Sequence, residues 1–278
     1  LERKFRVLCR LSPFLTAIFS NSPLHLGKPS GYKSFRSHIW QNTDGTRSGI
    51  PGAFIRKDFT IEDYIDWALL ASPYHLNRQG EIHELMDHSF RNLMDGSYPQ
   101  IKTDFEDWKD HLGMLFPEIR IKNIIEIRSI DTLNPEYVLA VPALLQALIY
   151  DETVFGKLES MMMDLPENEF PWYQQVAARD GLAGQVNQIN FSHFAKKLME
   201  MALESLTLSE GCRLALFFDR YTRHGLSPAD LVLERFYSAD ENPLKWIHKE
   251  LQSDEEKQSS FINFPCDVDE HPTSWVSH

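Results

Sequence analysis

From residue 119 to 130 the chain reads Ile-Arg-Ile-Lys-Asn-Ile-Ile-Glu-Ile-Arg-Ser-Ile. Alternation of this kind is the signature of a half-buried strand, because successive side chains in extended backbone point to opposite faces. The spacing predicts one strand across the whole run. Ile119, Ile121, Asn123, Ile125 and Ile127 share one face, and Arg120, Lys122, Ile124, Glu126 and Arg128 share the other. Such a strand needs a partner sheet and a covering layer, so the chain cannot be a pure helical bundle.

The rest is dominated by helical periodicity. Helices are expected over residues 1–20, with Pro13 inside, and over 60–71, with Thr60 as N-cap. Another is expected over 103–116, capped by Thr103 with Glu106 three residues on. Further helical stretches cover 138–165, 190–207 and 209–224, the last closing at Gly225. A short one begins with Ser227 as N-cap and Pro228 at its first position. A β-containing front half and a helical back half argue for an α+β fold. Residues 251–278 read as a polar tail.

Charge and composition remove several functions. Lys plus Arg is 28 against 40 Asp plus Glu, a net charge of −12, which disfavours nucleic acid as a partner. No run approaches the roughly 20 apolar residues that cross a bilayer, so no membrane association is expected. The three cysteines, Cys9, Cys212 and Cys266, form no CxxC or Cys/His cluster that would hold zinc. Their sparse use suggests a reducing compartment, and a cytoplasmic location is expected. The histidines lack HExxH spacing, and no GxSxG, Walker A or GxGxxG motif occurs.

Two segments can carry chemistry. The first is the loop 21–34, rich in breakers (Pro23, Gly27, Pro29, Gly31), with the segment Phe35-Arg36-Ser37-His38-Ile39-Trp40 that follows it. A loop of this length positions something more often than it merely connects. The alternation predicts a strand with Arg36, His38 and Trp40 on one face; the guanidinium suits a carboxylate and the indole can wall a small ligand. The second is the 120–128 face. A carboxylate can hold a hard cation and an adjacent guanidinium can neutralise a phosphoryl group, the pair that metal-assisted phosphoryl transfer requires. Read from the residues alone, a structural Arg–acid pair with a core tryptophan accounts for the first segment, and a salt bridge for the second, better than a site does.

The longer blocks narrow this. SPFLTAIFSNSP…GKPSGYKSFRSHIWQNTDGTRSGIP (residues 12–51) resembles the signature ATALFANSP…GKPNGFxSxRSHIWxxTDxxRTG of the plant-type glutamate–cysteine ligases. DWKDHLGMLFPEIRIKNIIEIRSID (107–131) resembles the same family's DWxxHLTTxFPEVRLKxYLEMRGAD. EGCRLALFFDRYTRHGLSPADLVLERF (210–236) resembles its C-terminal block. The resemblance implies a glutamine synthetase-like fold, a curved antiparallel sheet with helices outside. It also implies small-molecule substrates, L-glutamate, L-cysteine and ATP, joined through a γ-glutamyl phosphate with Mg²⁺ as the cation. By motif position, Arg36 and Trp40 match substrate-pocket residues, and Asn21, Ser22, Lys28 and His38 line the pocket. Glu126 matches a metal ligand and Arg128 a catalytic, phosphate-contacting arginine; Arg120 and Lys122 are assigned to the nucleotide phosphates.

The departures are specific. Members of the family are substantially longer, so the resemblance implies that Leu1 is an internal residue, that 1–250 is the C-terminal part of a single catalytic domain whose N-terminal part is missing, and that this chain is an incomplete, inactive fragment. The plant enzymes' redox-sensitive cysteines have no counterpart in residues 82–100. A sibling carboxylate–amine ligase with another amine acceptor, or a non-catalytic module on the same scaffold, stands as the alternative.

Overall fold

The computed structural model describes residues 1–78, 80–85, 88–97 and 101–238. The tail expected at 251–278 lies outside these. The described chain is mixed α and β, mostly helical with short strands. Among the described residues the strands pair in twos, and no larger curved sheet forms. No single helix among them is long and apolar enough to cross a membrane.

The chain divides into two compact units. One comprises Leu1–Ser12 with Ile39–Ser129, the other Pro13–His38 with the chain from Ile130 onward.

The first unit is organised by aromatic packing. The Phe5 ring stacks on Phe59 at 5.0 Å and meets Phe54 edge-on at 5.2 Å, while Phe54 stacks on Tyr64 at 5.2 Å. Such pairs add to the large apolar area each ring buries. Arg10 is fully buried, and its Nε donates to the Ile55 carbonyl at 2.7 Å. Thr60 and Asp63 cap the helix Ile61–Leu70 reciprocally, as the sequence suggests. The cap expected at Thr103 sits one residue later. Asp104 accepts from the Glu106 and Asp107 amides, and Asp107 accepts from the Asp104 amide in return. A carboxylate reaches two amides where the threonine hydroxyl would reach one.

The second unit is helical. Phe14 packs against Phe194 at 4.1 Å and Phe191 at 5.0 Å, and Phe19 against Phe217 at 5.0 Å. The expected stretch 138–165 resolves into helices Ala140–Tyr150 and Glu152–Met163, the second opened by Asp151 as N-cap. Gly225 takes the left-handed conformation (φ 71°) that ends the preceding turn. The helix Pro228–Ser238 follows, with the Asp230 carboxylate accepting from both the amide and the hydroxyl of Ser227.

Candidate functional site

The long strand expected over 119–130 is a hairpin. Strands Ile119–Ile121 and Ile125–Ile127 pair antiparallel around a turn in which the Lys122 amide donates to the Ile124 carbonyl at 3.0 Å. The face proposed from alternation therefore folds back on itself. Arg120 stands directly across from Glu126, and Lys122 is exposed at the tip, away from the paired residues. Arg120 Nε donates to Glu126 Oε2 at 2.6 Å, and its Nη1 donates to the Gly113 and Leu115 carbonyls. That guanidinium is held on three sides. Arg128 Nη1 lies 3.6 Å from the other carboxylate oxygen, Oε1.

The Arg128 guanidinium also lies beside two rings, 5.7 Å from the centre of Trp40 and 5.5 Å from that of Phe116. Trp40 and Phe116 pack on each other at 5.4 Å. Phe116 is fixed by the parallel pairing of Phe116–Pro117 with Ser48–Gly49. The Trp40 carbonyl accepts from the Thr43 hydroxyl at 2.8 Å. The first unit thus assembles one carboxylate, two guanidinium groups and two aromatic walls. Glu126 keeps about a third of its side chain exposed, whereas Arg120 and Arg128 are mostly buried.

Downstream of Trp40, Asp44 organises the turn. Its carboxylate accepts from the Thr46 amide at 2.9 Å, the Thr46 hydroxyl at 2.6 Å and Arg47 Nε at 2.7 Å. Those hydrogen bonds hold its pKa down at about 2. Arg47 is buried, with its guanidinium 3.8 Å over the Tyr74 ring.

The segment expected as a strand, Phe35–Trp40, lies in a helix, Phe35–Gln41. The reason is Ser34, whose hydroxyl oxygen accepts from the Ser37 amide at 3.1 Å, an N-cap that starts helical turns where extended backbone offers no such bond. His38 leaves the face proposed for Arg36, His38 and Trp40, because positions two apart on a helix differ by about 200°, whereas Arg36 and Trp40, four apart, keep to one side of it. His38 stacks on Tyr32 at 3.9 Å. Lys28 is exposed on the small hairpin formed by Leu24–His25 and Lys28–Pro29, whose turn residues Leu26 and Gly27 both have positive φ.

Asn21 and Ser22 converge with Arg36 through Asp131. The Asp131 carboxylate accepts from the Asn21 amide at 2.8 Å, the Ser22 hydroxyl at 2.7 Å and the Ser34 hydroxyl at 2.9 Å. The Arg36 amide donates to Ser22 Oγ at 3.1 Å.

Of the residues singled out from sequence, the first unit brings Trp40, Arg120, Glu126 and Arg128 together and leaves Lys122 apart. The second links Asn21, Ser22 and the backbone of Arg36. Ser34, Asp131 and Phe116 were missed. Ser34 had a readable signal, a serine just ahead of a turn's worth of ordinary helix formers. Asp131 closes the second family block, but no local pattern pairs it with partners about a hundred residues distant.

A family profile described as glutamate–cysteine ligase family 2 matches residues 2–258, nearly the whole chain. The chain belongs to that family. Chloroplastic glutamate–cysteine ligases resemble it at moderate identity: 33% over 241 residues for Nicotiana tabacum, covering 84% of this chain and 46% of the relative. For Solanum lycopersicum the figure is 31% over 255 residues, covering 90% and 49%. For Arabidopsis thaliana it is 31% over 240 residues, covering 84% and 46%. The chain spans about half the length of the curated relatives it matches. These family members are named as chloroplast proteins, which overturns the cytoplasmic expectation. Sparse cysteines mark a reducing environment, and a reducing environment does not distinguish one such compartment from another.

Proposed function

We propose that this chain serves the ATP-dependent joining of the L-glutamate γ-carboxylate to the amine of L-cysteine, the first step of glutathione synthesis, on a glutamine synthetase-like catalytic fold. A γ-carboxylate oxygen bonds to the γ-phosphorus of ATP as the bond to ADP breaks. The cysteine nitrogen then bonds to the acyl carbon, phosphate leaves, and the nitrogen loses a proton. Family membership supports the reaction class. The observation that carries the reading is the Arg120–Glu126–Arg128 constellation beside Trp40.

Phosphoryl transfer is catalysed mainly by positioning and by neutralising charge. Arg128 is the catalytic group, its guanidinium oriented by Glu126 on one side and by two rings on the other. Arg120 adds positive charge to the phosphate region, and Lys122 at the hairpin tip reaches toward phosphate from solvent. Arg36 holds the substrate carboxylate, and Asn21, Ser22, Lys28, His38 and Trp40 line the substrate pocket. Glu126 is the hairpin's carboxylate, and no group of three His, Cys, Asp or Glu comes together among the described residues. One carboxylate suits Mg²⁺, which keeps water and phosphate oxygens as its remaining ligands. When bound, the ion neutralises phosphate charge.

The test uses the open reading frame that carries this sequence. Glu126→Gln and Arg128→Ala should each lower ATP-dependent γ-glutamylcysteine formation by roughly 10²-fold, the scale for losing one preorganised charge-stabilising group. Unchanged turnover in both would sink the reading, and faster turnover with another amine than with cysteine would point to the sibling ligase.

A further inference from the structure

Asp131 is buried, 5% exposed, and follows the 125–127 strand by only a few residues in sequence. Among the described residues no ion pair involves it, and the reaction described above does not use it. Its carboxylate instead gathers three donors from two separate stretches of chain: the Asn21 amide and Ser22 hydroxyl on Oδ2, and the Ser34 hydroxyl on Oδ1.

The direction of those bonds matters. An ionised carboxylate only accepts, so each serine must turn its proton toward Asp131. Each hydroxyl oxygen is then left with lone pairs for other donors. Those donors are the first amides of the helix Phe35–Gln41: the Arg36 amide donates to Ser22 Oγ at 3.1 Å, and the Ser37 amide donates to Ser34 Oγ at 3.1 Å. The backbone reinforces the arrangement. The Ser22 amide donates to the Lys33 carbonyl at 3.2 Å and the Phe35 amide to the Ser22 carbonyl at 3.0 Å. One carboxylate thereby sets the polarity of two hydroxyls that cap one helix, and the second residue of that helix is Arg36.

We infer that Asp131 is a positioning residue: through Ser22 and Ser34 it fixes the start of the Phe35–Gln41 helix and with it the direction of the Arg36 side chain. The link to substrate rests on the reading of Arg36 as the glutamate-holding residue; the link to the helix does not. An asparagine at 131 has nearly the same shape, but its amide nitrogen donates. It would set a donor against at least one of the groups that now donate to Asp131, and the serine hydroxyl or main-chain amide so opposed would have to move, loosening the cap it steadies.

Backbone hydrogen exchange on this chain tests the helix link. In Asp131→Asn at least one of the Arg36 and Ser37 amides should exchange at least tenfold faster, with the amides of the helix Phe191–Leu203 unchanged. Unaltered exchange at both amides overturns the inference. Should Asp131→Asn fail to fold, Ser22 decides: Ser22→Ala should speed exchange at Arg36, and Ser22→Thr, which keeps the hydroxyl, should restore it. No difference between the two overturns the inference equally. In the open reading frame, Asp131→Asn should raise the KM for glutamate at least tenfold and leave the KM for ATP unchanged, a split that general destabilisation would not produce. If Arg36→Ala leaves the glutamate KM unchanged, the role given to Arg36 fails, while the exchange result still decides the positioning role of Asp131.

Discussion

The Tyr64 hydroxyl donates to the Ile121 carbonyl at 3.1 Å and accepts from the Ile121 amide at 3.0 Å. One phenol therefore satisfies both main-chain groups of the residue next to Arg120, on the edge of the hairpin that its partner strand does not reach. Burial pushes the Tyr64 pKa up to about 12, so the hydroxyl keeps its proton and both bonds at any pH the protein meets.

Tyr64→Phe keeps the ring packing on Phe54 and removes both bonds. Leaving a buried amide and carbonyl unmade costs about 1–3 kcal/mol. Urea unfolding should register that loss, and faster hydrogen exchange at Ile121 should place it on the hairpin. A variant as stable as the parent would show that water replaces the phenol.

Arg128 stands beside Trp40 and Phe116 as well as Glu126. A double-mutant cycle on Trp40→Ala and Arg128→Ala should return a coupling of about 0.5–1 kcal/mol, the scale of a partly exposed cation–π contact. Zero coupling would mean that the indole does not help to orient the guanidinium.

His111 is fully buried, its Nε2 donating to the Ala68 carbonyl at 2.7 Å and its ring stacked on Phe90 at 4.6 Å. Burial, and secondarily the charge of Arg47, lower its pKa below the ordinary 6.5. The unfolded chain then binds a proton that the folded chain refuses, so stability is full above pH 6.5 and declines as the pH falls through that value toward the folded pKa. Replacing it, as in His111→Gln, should flatten the melting temperature between pH 7.5 and 5.5 while lowering it overall. An equally steep profile in the variant would assign the acid sensitivity to another group.

Asp230 serves two purposes, accepting from Ser227 and pairing with Lys33 Nζ at 2.6 Å. Asp230→Ala should cost about 1–2 kcal/mol, most of it the lost cap. Lys33→Met, which removes the ion pair alone, should cost under about 1 kcal/mol, a cost that shrinks as salt is added. The reverse order of effects in thermal melts would place the weight on the ion pair.

These predictions also show where sequence reasoning succeeds. Caps are local, and Thr60, Ser227 and Gly225 announce themselves within a few residues of the ends they form. The hairpin does not. Its partners pair as Ile119 with Ile127, Arg120 with Glu126 and Ile121 with Ile125. An odd number of residues lies between the strands, so the even–odd alternation continues unbroken through the turn. A continuous strand and a hairpin are indistinguishable on that pattern, although the membership of Arg120 and Glu126 in one cluster is right under either. The segment 35–40 failed for a different reason: six residues satisfy a period of two as easily as they fill less than two helical turns, and the deciding bond comes from Ser34, outside the window. The Asp131 hub is beyond any local reading.

The pairing of Arg120 with Glu126 has a further consequence for how this chain can vary. The distance between the two charges is set by main-chain hydrogen bonds and only trimmed by side-chain rotamers, so the hairpin works as a ruler. Exchanging the two residues, Arg120→Glu together with Glu126→Arg, preserves the attraction yet sends the guanidinium to the opposite strand, beyond the Gly113 and Leu115 carbonyls that steady it. Deleting one tip residue preserves every side chain and destroys the measure, since all outward groups on one strand then face inward. Drift in this stretch is therefore free in the identity of Asn123 and Ile124 and closed in its length.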